Sequence, residues 1–201
     1  MSNRFSQFST AAVSSTLASV LLLSGCEILT KDYTAIKKAQ ENKVSVAVQA
    51  YNVDDYYQVE HEGRTYIFDD KKTYLSFLDT GDTVFRLTRI GAGKNGETLV
   101  FGLTKKDKKK TSGIGSVMMY DNLVEGASEG FYAELYSDGR IYVFDNWDDV
   151  QAFRTVGEAP YRLTDIGAGP EGKTVVYVLN KSNKKARPDS LIKRFKLVHS
   201  K

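Results

Sequence analysis

The chain has one cysteine, Cys26, among its 201 residues. No disulfide can therefore form within it, and no thiol beyond that position can act as nucleophile or metal ligand. Histidine is nearly as scarce, with only His61, beside an expected turn, and His199, close to the C-terminus. Two such isolated imidazoles make neither an acid-base pair nor a metal cluster. An excess of charge of one sign is missing as well: 28 basic residues stand against 25 acidic ones, a formal net charge of +3. A long hydrophobic run is also lacking, since the apolar stretch from about Ala11 to Leu23 is too short and too interrupted by serines to span a bilayer.

What is present is a repeat. Shifted by 76 positions, Gly63 to Lys109 reappears as Gly139 to Lys185, and 21 of the 47 aligned positions are identical. Unrelated sequences would share roughly three at average residue usage. Gly63-Arg64-Thr65-Tyr66-Ile67-Phe68-Asp69 is matched by Gly139-Arg140-Ile141-Tyr142-Val143-Phe144-Asp145. Phe85-Arg86-Leu87-Thr88-Arg89-Ile90-Gly91-Ala92-Gly93 is matched by Tyr161-Arg162-Leu163-Thr164-Asp165-Ile166-Gly167-Ala168-Gly169. A period of this kind is the mark of a duplicated structural unit.

Ahead of the repeat, Met1 to Thr10 carries one charge, Arg4; the apolar run follows and ends in Leu23-Ser24-Gly25-Cys26. This order is that of a signal peptide, and the tetrad resembles the lipobox of bacterial lipoproteins. The resemblance covers this segment alone, and no family is recognised for the rest of the chain. It implies cleavage after Gly25 and acylation of the Cys26 sulfur, palmitate being among the chains such proteins carry. Several acyl chains on one residue make a practically permanent anchor, at about 0.8 kcal/mol per buried methylene. In that family an aspartate after the cysteine favours the inner membrane. Glu27 stands there, so the expected location is the outer membrane, facing the periplasm, rather than the inner membrane. The mature chain would hold 27 basic and 25 acidic residues, Arg4 having been removed.

The expected organisation is a signal peptide (1–25), a lipidated tether (26–43), a first repeat with a basic linker (44–112), a second repeat (113–186) and a basic C-terminal tail (187–201). Lys43 to Tyr51 alternates like a half-buried strand, and its counterpart, Val117 to Tyr120, matches poorly. Within each repeat, Glu62-Gly63 and Asp138-Gly139 sit between β-rich runs, as a hairpin requires. Asp69 and Asp145 can cap a helix that Gly81 and Gly157 end. Tyr74, Phe77 and Leu78, and Trp147, Val150 and Phe153, form a helical stripe facing a core. Two more strands follow, Phe85 to Ile90 with Thr98 to Leu103, and Tyr161 to Ile166 with Thr174 to Leu179. The expectation is an α+β fold of two tandem ββαββ repeats, each an antiparallel sheet with one helix. Because the last strands are apolar on both faces, the repeats are expected to pack through their helix-free faces or to share a continuous sheet, as a pseudo-twofold body.

Gly91-Ala92-Gly93-Lys94-Asn95-Gly96 and Gly167-Ala168-Gly169-Pro170-Glu171-Gly172 both fit GxGxxG. That pattern cradles a pyrophosphate only where a helix follows, and the following residues favour a strand, so hairpin loops are expected. Arg86 with Thr88, and Arg162 with Thr164, are the recurring polar residues that can serve as symmetry-related anion or ligand contacts. Simple solvation, or pairing with Asp69 or Asp145, is the plainer reading. The basic runs after each copy, Lys105 to Lys110 and Lys181 to Arg187, suit solvated linkers or anionic lipid headgroups. The tail from Leu191 to Val198 fits an edge strand or a short amphipathic helix docking on a partner.

No cofactor or metal is implied, and nucleic acid is not expected in this compartment. The anchor, the duplicated sheet and the shortage of catalytic groups point to a non-enzymatic binding or assembly module for an envelope protein partner. A carrier of apolar small molecules or lipids is the alternative, and a hydrolase a third reading, which would need a polar cluster in a cleft.

Overall fold

The computed structural model describes residues 53–200. The expected signal peptide and lipidated tether, with Cys26, and the expected strand at 43–51 lie outside the described residues. The element order is β1 (Asp55–His61), β2 (Arg64–Phe68), α1 (Lys71–Thr80), β3 (Arg86–Arg89), β4 (Thr98–Gly102), α2 (Gly115–Tyr120), β5 (Tyr132–Ser137), β6 (Arg140–Phe144), α3 (Trp147–Val156), β7 (Tyr161–Asp165), β8 (Thr174–Leu179) and α4 (Asp189–His199).

Local chemistry explains most of these elements. The β1–β2 and β5–β6 turns have positive φ at both central residues, 50° and 71° at Glu62-Gly63 and 51° and 73° at Asp138-Gly139. This is the turn whose twist matches two antiparallel strands. Helix α1 is capped by Asp70, whose carboxylate accepts from the Thr73 N–H at 2.8 Å, and α3 by Asn146, which accepts from the Asp149 N–H at 3.2 Å. Both caps fall one residue after the expected Asp69 and Asp145. Gly81 and Gly157 end the helices in the left-handed conformation. The two GxGxxG segments join antiparallel strands, β3 to β4 and β7 to β8, and a strand follows each of them.

The sheet corrects the expected fold. Instead of two antiparallel sheets with one helix each, packed as a pseudo-twofold body, there is one mixed eight-stranded sheet in the order β3-β4-β2-β1-β5-β6-β8-β7. The hairpins are antiparallel, but β2 pairs with β4, β6 with β8, and β1 with β5 in parallel. The cause is where the second hairpin of each repeat docks: β3 goes to the sheet edge and β4 turns back between it and β2. Strand periodicity identifies a strand without naming its neighbour.

Because equivalent strands β1 and β5 are parallel neighbours, the rotation exchanging the halves runs along the strands and turns the sheet over. Equivalent helices therefore lie on opposite faces. Tyr74 and Phe77 of α1 pack with Tyr57, Val59, Tyr66 and Phe68. Trp147, Val150 and Phe153 of α3 pack on the other face with Ala133, Leu135, Tyr142 and Phe144. The half of each face left bare is covered by a further helix. Helix α4 adds Leu191, Ile192, Phe195 and Val198 beside α1, and α2 adds Met119 beside α3. The tail expected as an edge strand or a partner-docking helix is thus a helix of this chain's own core.

Helices α2 and α4 are themselves related by the 76-residue offset. Buried Gly115, Ser116 and Met119 correspond to buried Leu191, Ile192 and Phe195. The structural repeat is longer than the sequence repeat, since none of the six α2 residues matches its counterpart. Helix α2 is held partly by Asp69, whose buried carboxylate accepts from the Ser116 N–H at 2.9 Å.

The strand directions give the sheet two distinct ends. The chain comes in at Val53 at what we call the near end, and β1 and β5 run to the far end. The hairpin turns at 62–63 and 138–139 and the loops at 90–97 and 166–173 therefore lie at the far end. The basic segments after β4 and β8 emerge at the near end.

Candidate functional site

The residues singled out as anion contacts are not brought together. Arg86 and Thr88 lie on β3, and Arg162 and Thr164 on β7, at opposite edges of the sheet. Arg86 pairs with Asp82 at 2.8 Å, and Arg162 donates to the Ala159 carbonyl at 2.7 Å.

What converges instead is a polar group around Glu134, on the central strand β5 and fully buried. The Tyr74 hydroxyl donates to its Oε2 at 2.5 Å, the Tyr132 hydroxyl hydrogen-bonds Oε1, and His199 Nε2 lies 2.9 Å from Oε2. A buried carboxylate requires this many partners, because solvation lost on burial must be replaced by hydrogen bonds. Both phenols titrate well above their ordinary range, first through burial and second through repulsion between a phenolate and the Glu134 charge. The equivalent position in the first repeat is Gln58, to which the Tyr56 hydroxyl donates at 3.0 Å. The amide needs less support: Val150 stands where Tyr74 would be and Leu123 where His199 would be. Sequence reasoning passed over this group because His199 sits so near the chain end. A signal was nonetheless present in Tyr132-Ala133-Glu134-Leu135-Tyr136, which places a carboxylate between two tyrosines on one face of a strand whose other face is apolar.

Two clefts open at the far end, one on each face. The first, of about 750 Å³, lies between the C-terminal ends of α1 and α4 and the loop at 168–173. Val59, Leu75, Phe77, Leu78, Tyr136 and Val198 give it apolar walls, and both histidines, His61 and His199, line it. Of the acidic side chains here, Glu171 is paired with Lys173 and Asp79 lies at the rim, while the Glu60 carboxylate accepts from the Ser137 hydroxyl at 3.2 Å on the face of the second cleft. Burial raises the Glu60 carboxyl above its ordinary value, partly offset by the Ser137 hydroxyl. The second cleft, of about 380 Å³, lies beside α3 and the loop carrying Lys94 and Asn95.

The clefts are copies of each other. At an offset of 76, Val59 corresponds to Leu135, Phe77 to Phe153 and Gly81 to Gly157, and each member lines its own cleft. The walls have diverged. Leu75, Leu78 and Val198 of the first are Gln151, Arg154 and Asn122 in the second. Two side chains narrow the second cleft: Arg154 donates to the Tyr120 carbonyl at 3.0 Å and lies 4.4 Å over its ring, while Lys94 Nζ donates to the Thr155 carbonyl at 3.0 Å. In the first cleft the position of Lys94 is held by Pro170, which has no donor to make that tie.

Among the described residues no group of three His, Cys, Asp or Glu is placed to hold a metal ion, and no helix is long and apolar enough to cross a membrane. No protein-family model, no curated protein and no solved structure matches the chain. The divergence between its two related clefts is therefore what singles out one of them as a site.

Proposed function

We propose that this protein is a non-enzymatic binding module of the bacterial cell envelope, anchored through lipid on Cys26, and that its ligand site is the apolar cleft between α1 and α4. The observation that carries the reading is the divergence of the paired clefts. One copy is lined by Gln151 and narrowed by the hydrogen bonds of Arg154 and Lys94, while the other keeps apolar walls and about twice the volume. Apolar surface left open at one of two related positions serves a ligand better than it serves the fold.

The ligand this cleft suits has an apolar portion, since Val59, Leu75, Phe77, Leu78 and Val198 form its walls. An apolar side chain of an envelope protein partner meets that description. The second reading, a carrier of apolar small molecules or lipids, is favoured by the volume, which falls within the range of about 300–1,000 Å³ usual for small-molecule sites. Hydrolysis is not proposed: both Glu134 oxygens are engaged by phenols and an imidazole, bonds that a buried carboxylate needs for its own solvation.

The test is native mass spectrometry and crosslinking of the mature protein taken gently from its host envelope, beside the variant Leu75→Gln/Leu78→Arg, which puts two wall residues of the second cleft into the first. Loss of a crosslinked protein in the variant supports the partner reading, and loss of a small-molecule adduct supports the carrier. Capture or adducts that persist unchanged in a folded variant would overturn the assignment of the cleft.

A further inference from the structure

The near end carries the two basic segments, and they are built alike. Lys105, Lys108 and Lys109 recur at the 76-residue offset as Lys181, Lys184 and Lys185. The turn is the same: the Lys108 N–H donates to the Thr104 carbonyl at 3.1 Å, and the Lys184 N–H to the Asn180 carbonyl at 3.0 Å. The clamp is the same too, with Lys108 Nζ 4.8 Å over the Phe85 ring and Lys184 Nζ 4.0 Å over the Tyr161 ring. A cation held over a ring face fixes one lysine of each turn, and Lys105, Lys109, Lys181 and Lys185 are left exposed. A solvated linker has no physical need for two copies of one clamped turn.

Their placement is also set by the fold. The rotation relating the halves runs along the strands, so equivalent points lie at equal height on either side of it. Segments leaving β4 and β8 are five strand spacings apart, about 24 Å at roughly 4.8 Å per spacing. Between them, at the same end, the chain arrives at Val53, whose carbonyl accepts from the Ala127 N–H at 2.9 Å. The first segment holds five lysines against Asp107, and the second three lysines and Arg187 with no acid. The same end also carries acids off the two segments: Asp54, Glu125, Glu129, Asp145 and Asp148 are exposed, Asp149 accepts from the Asn180 amide, and Asp189 pairs with Arg187.

We infer that these two turns are feet that seat the near end on an anionic phospholipid surface, so that both clefts face away from the bilayer. The inference rests on the lipid-anchor reading for its biological setting and deepens it. The anchor position Cys26 and the first described residue, Val53, are 27 positions apart in the sequence. Paired charges at equal height supply the orientation.

The test uses the mature protein reconstituted in phosphatidylcholine vesicles, with and without about one third phosphatidylglycerol, the negative surface attracting each nearby lysine with about 1 kcal/mol. Amine acetylation is read residue by residue by mass spectrometry. The expected result is slower labelling of Lys105, Lys109, Lys181 and Lys185 on anionic vesicles only, reversed by high salt, with Lys94 and Lys173 at the far end unaffected. At about fivefold per lysine, replacing all four by glutamine lowers the docked-to-undocked ratio on the order of a thousandfold. These side chains are exposed, so the fold survives, and protection of Lys106 is lost with docking. Equal protection on neutral vesicles, protection of Lys94 or Lys173 instead, or no protection in lipidated protein would each overturn the inference. The intact mass reports the Cys26 acyl chains separately, so an unmodified cysteine sinks the anchor reading while leaving the vesicle result to judge the feet.

Discussion

His199 Nε2 lies 2.9 Å from Oε2 of Glu134, across 65 residues of sequence. The contact joins the last helix to the central strand, and with Tyr74 it also joins α1 to the same carboxylate. One buried side chain thus links both helices of a face to the sheet beneath.

Substitutions at Glu134 should separate shape from pairing. Glu134→Gln reproduces the amide found at Gln58 and keeps an oxygen for a tyrosine hydroxyl, so its expected cost is about 1 kcal/mol. Glu134→Leu leaves two phenols and an imidazole without their acceptor and should cost on the order of 3 kcal/mol or more. Urea unfolding midpoints measure both, and equal losses would mean that the cluster contributes only by packing.

Asp69 makes stability depend on pH. Its burial pushes the carboxyl from the usual 3.8 up to about 6, partly opposed by the Ser116 N–H. Below pH 3.8 folded and unfolded chains both hold the proton, and there is no cost. Between 3.8 and 6 the unfolded chain releases it while the fold keeps it, so this group makes stability fall as pH rises. Above 6 the full cost is present, a few kcal/mol, because each pH unit between the two values contributes about 1.4 kcal/mol. Asp69→Asn can still accept from Ser116 without a charge. Its stability advantage should be near zero at low pH and grow to that size by neutral pH, in parallel chemical denaturation series.

Gly102 is required by the close approach of Phe68. A Cβ placed there would fall 2.2 Å from Phe68 Cε1 and 2.3 Å from Cδ1. The counterpart in the second repeat is Val178, so the halves fill this position differently. Gly102→Ala should lower stability by about 1–3 kcal/mol, the cost typical of overpacking, and thermal unfolding would show it. A neutral result would mean that Phe68 has an alternative rotamer available.

The second cleft should widen when the hydrogen bonds of Arg154 and Lys94 are removed. Gln151→Leu, Arg154→Leu and Lys94→Pro together give it three residues of the first cleft, those at Leu75, Leu78 and Pro170. Loss of the Arg154 and Lys94 hydrogen bonds should cost about 1–3 kcal/mol in total. Ligand stoichiometry, read by native mass spectrometry with whatever ligand the first cleft retains, should rise from one to two. A stoichiometry of one in the folded triple variant would mean that wall chemistry alone does not set occupancy.

The duplication, the two hairpin turns, the helices ended by Gly81 and Gly157 and the strand character of the GxGxxG flanks were all legible in the sequence. Each depends on residues close together in the chain, where turn geometry and side-chain period act directly. The caps lie one residue from their expected places, because Asp69 and Asp70 are chemically alike and only the fold sends Asp69 across to Ser116. Pairing was not legible: alternation identifies β4 as a strand apolar on both faces without saying that it lies parallel to β2. Helices α2 and α4 were hidden as a pair because burial in equivalent places is met by Met119 in one and Phe195 in the other. The Glu134 cluster and the two clefts depended on tertiary structure altogether, because they form where strands and helices distant in sequence come together, and sequence period carries no record of which faces meet.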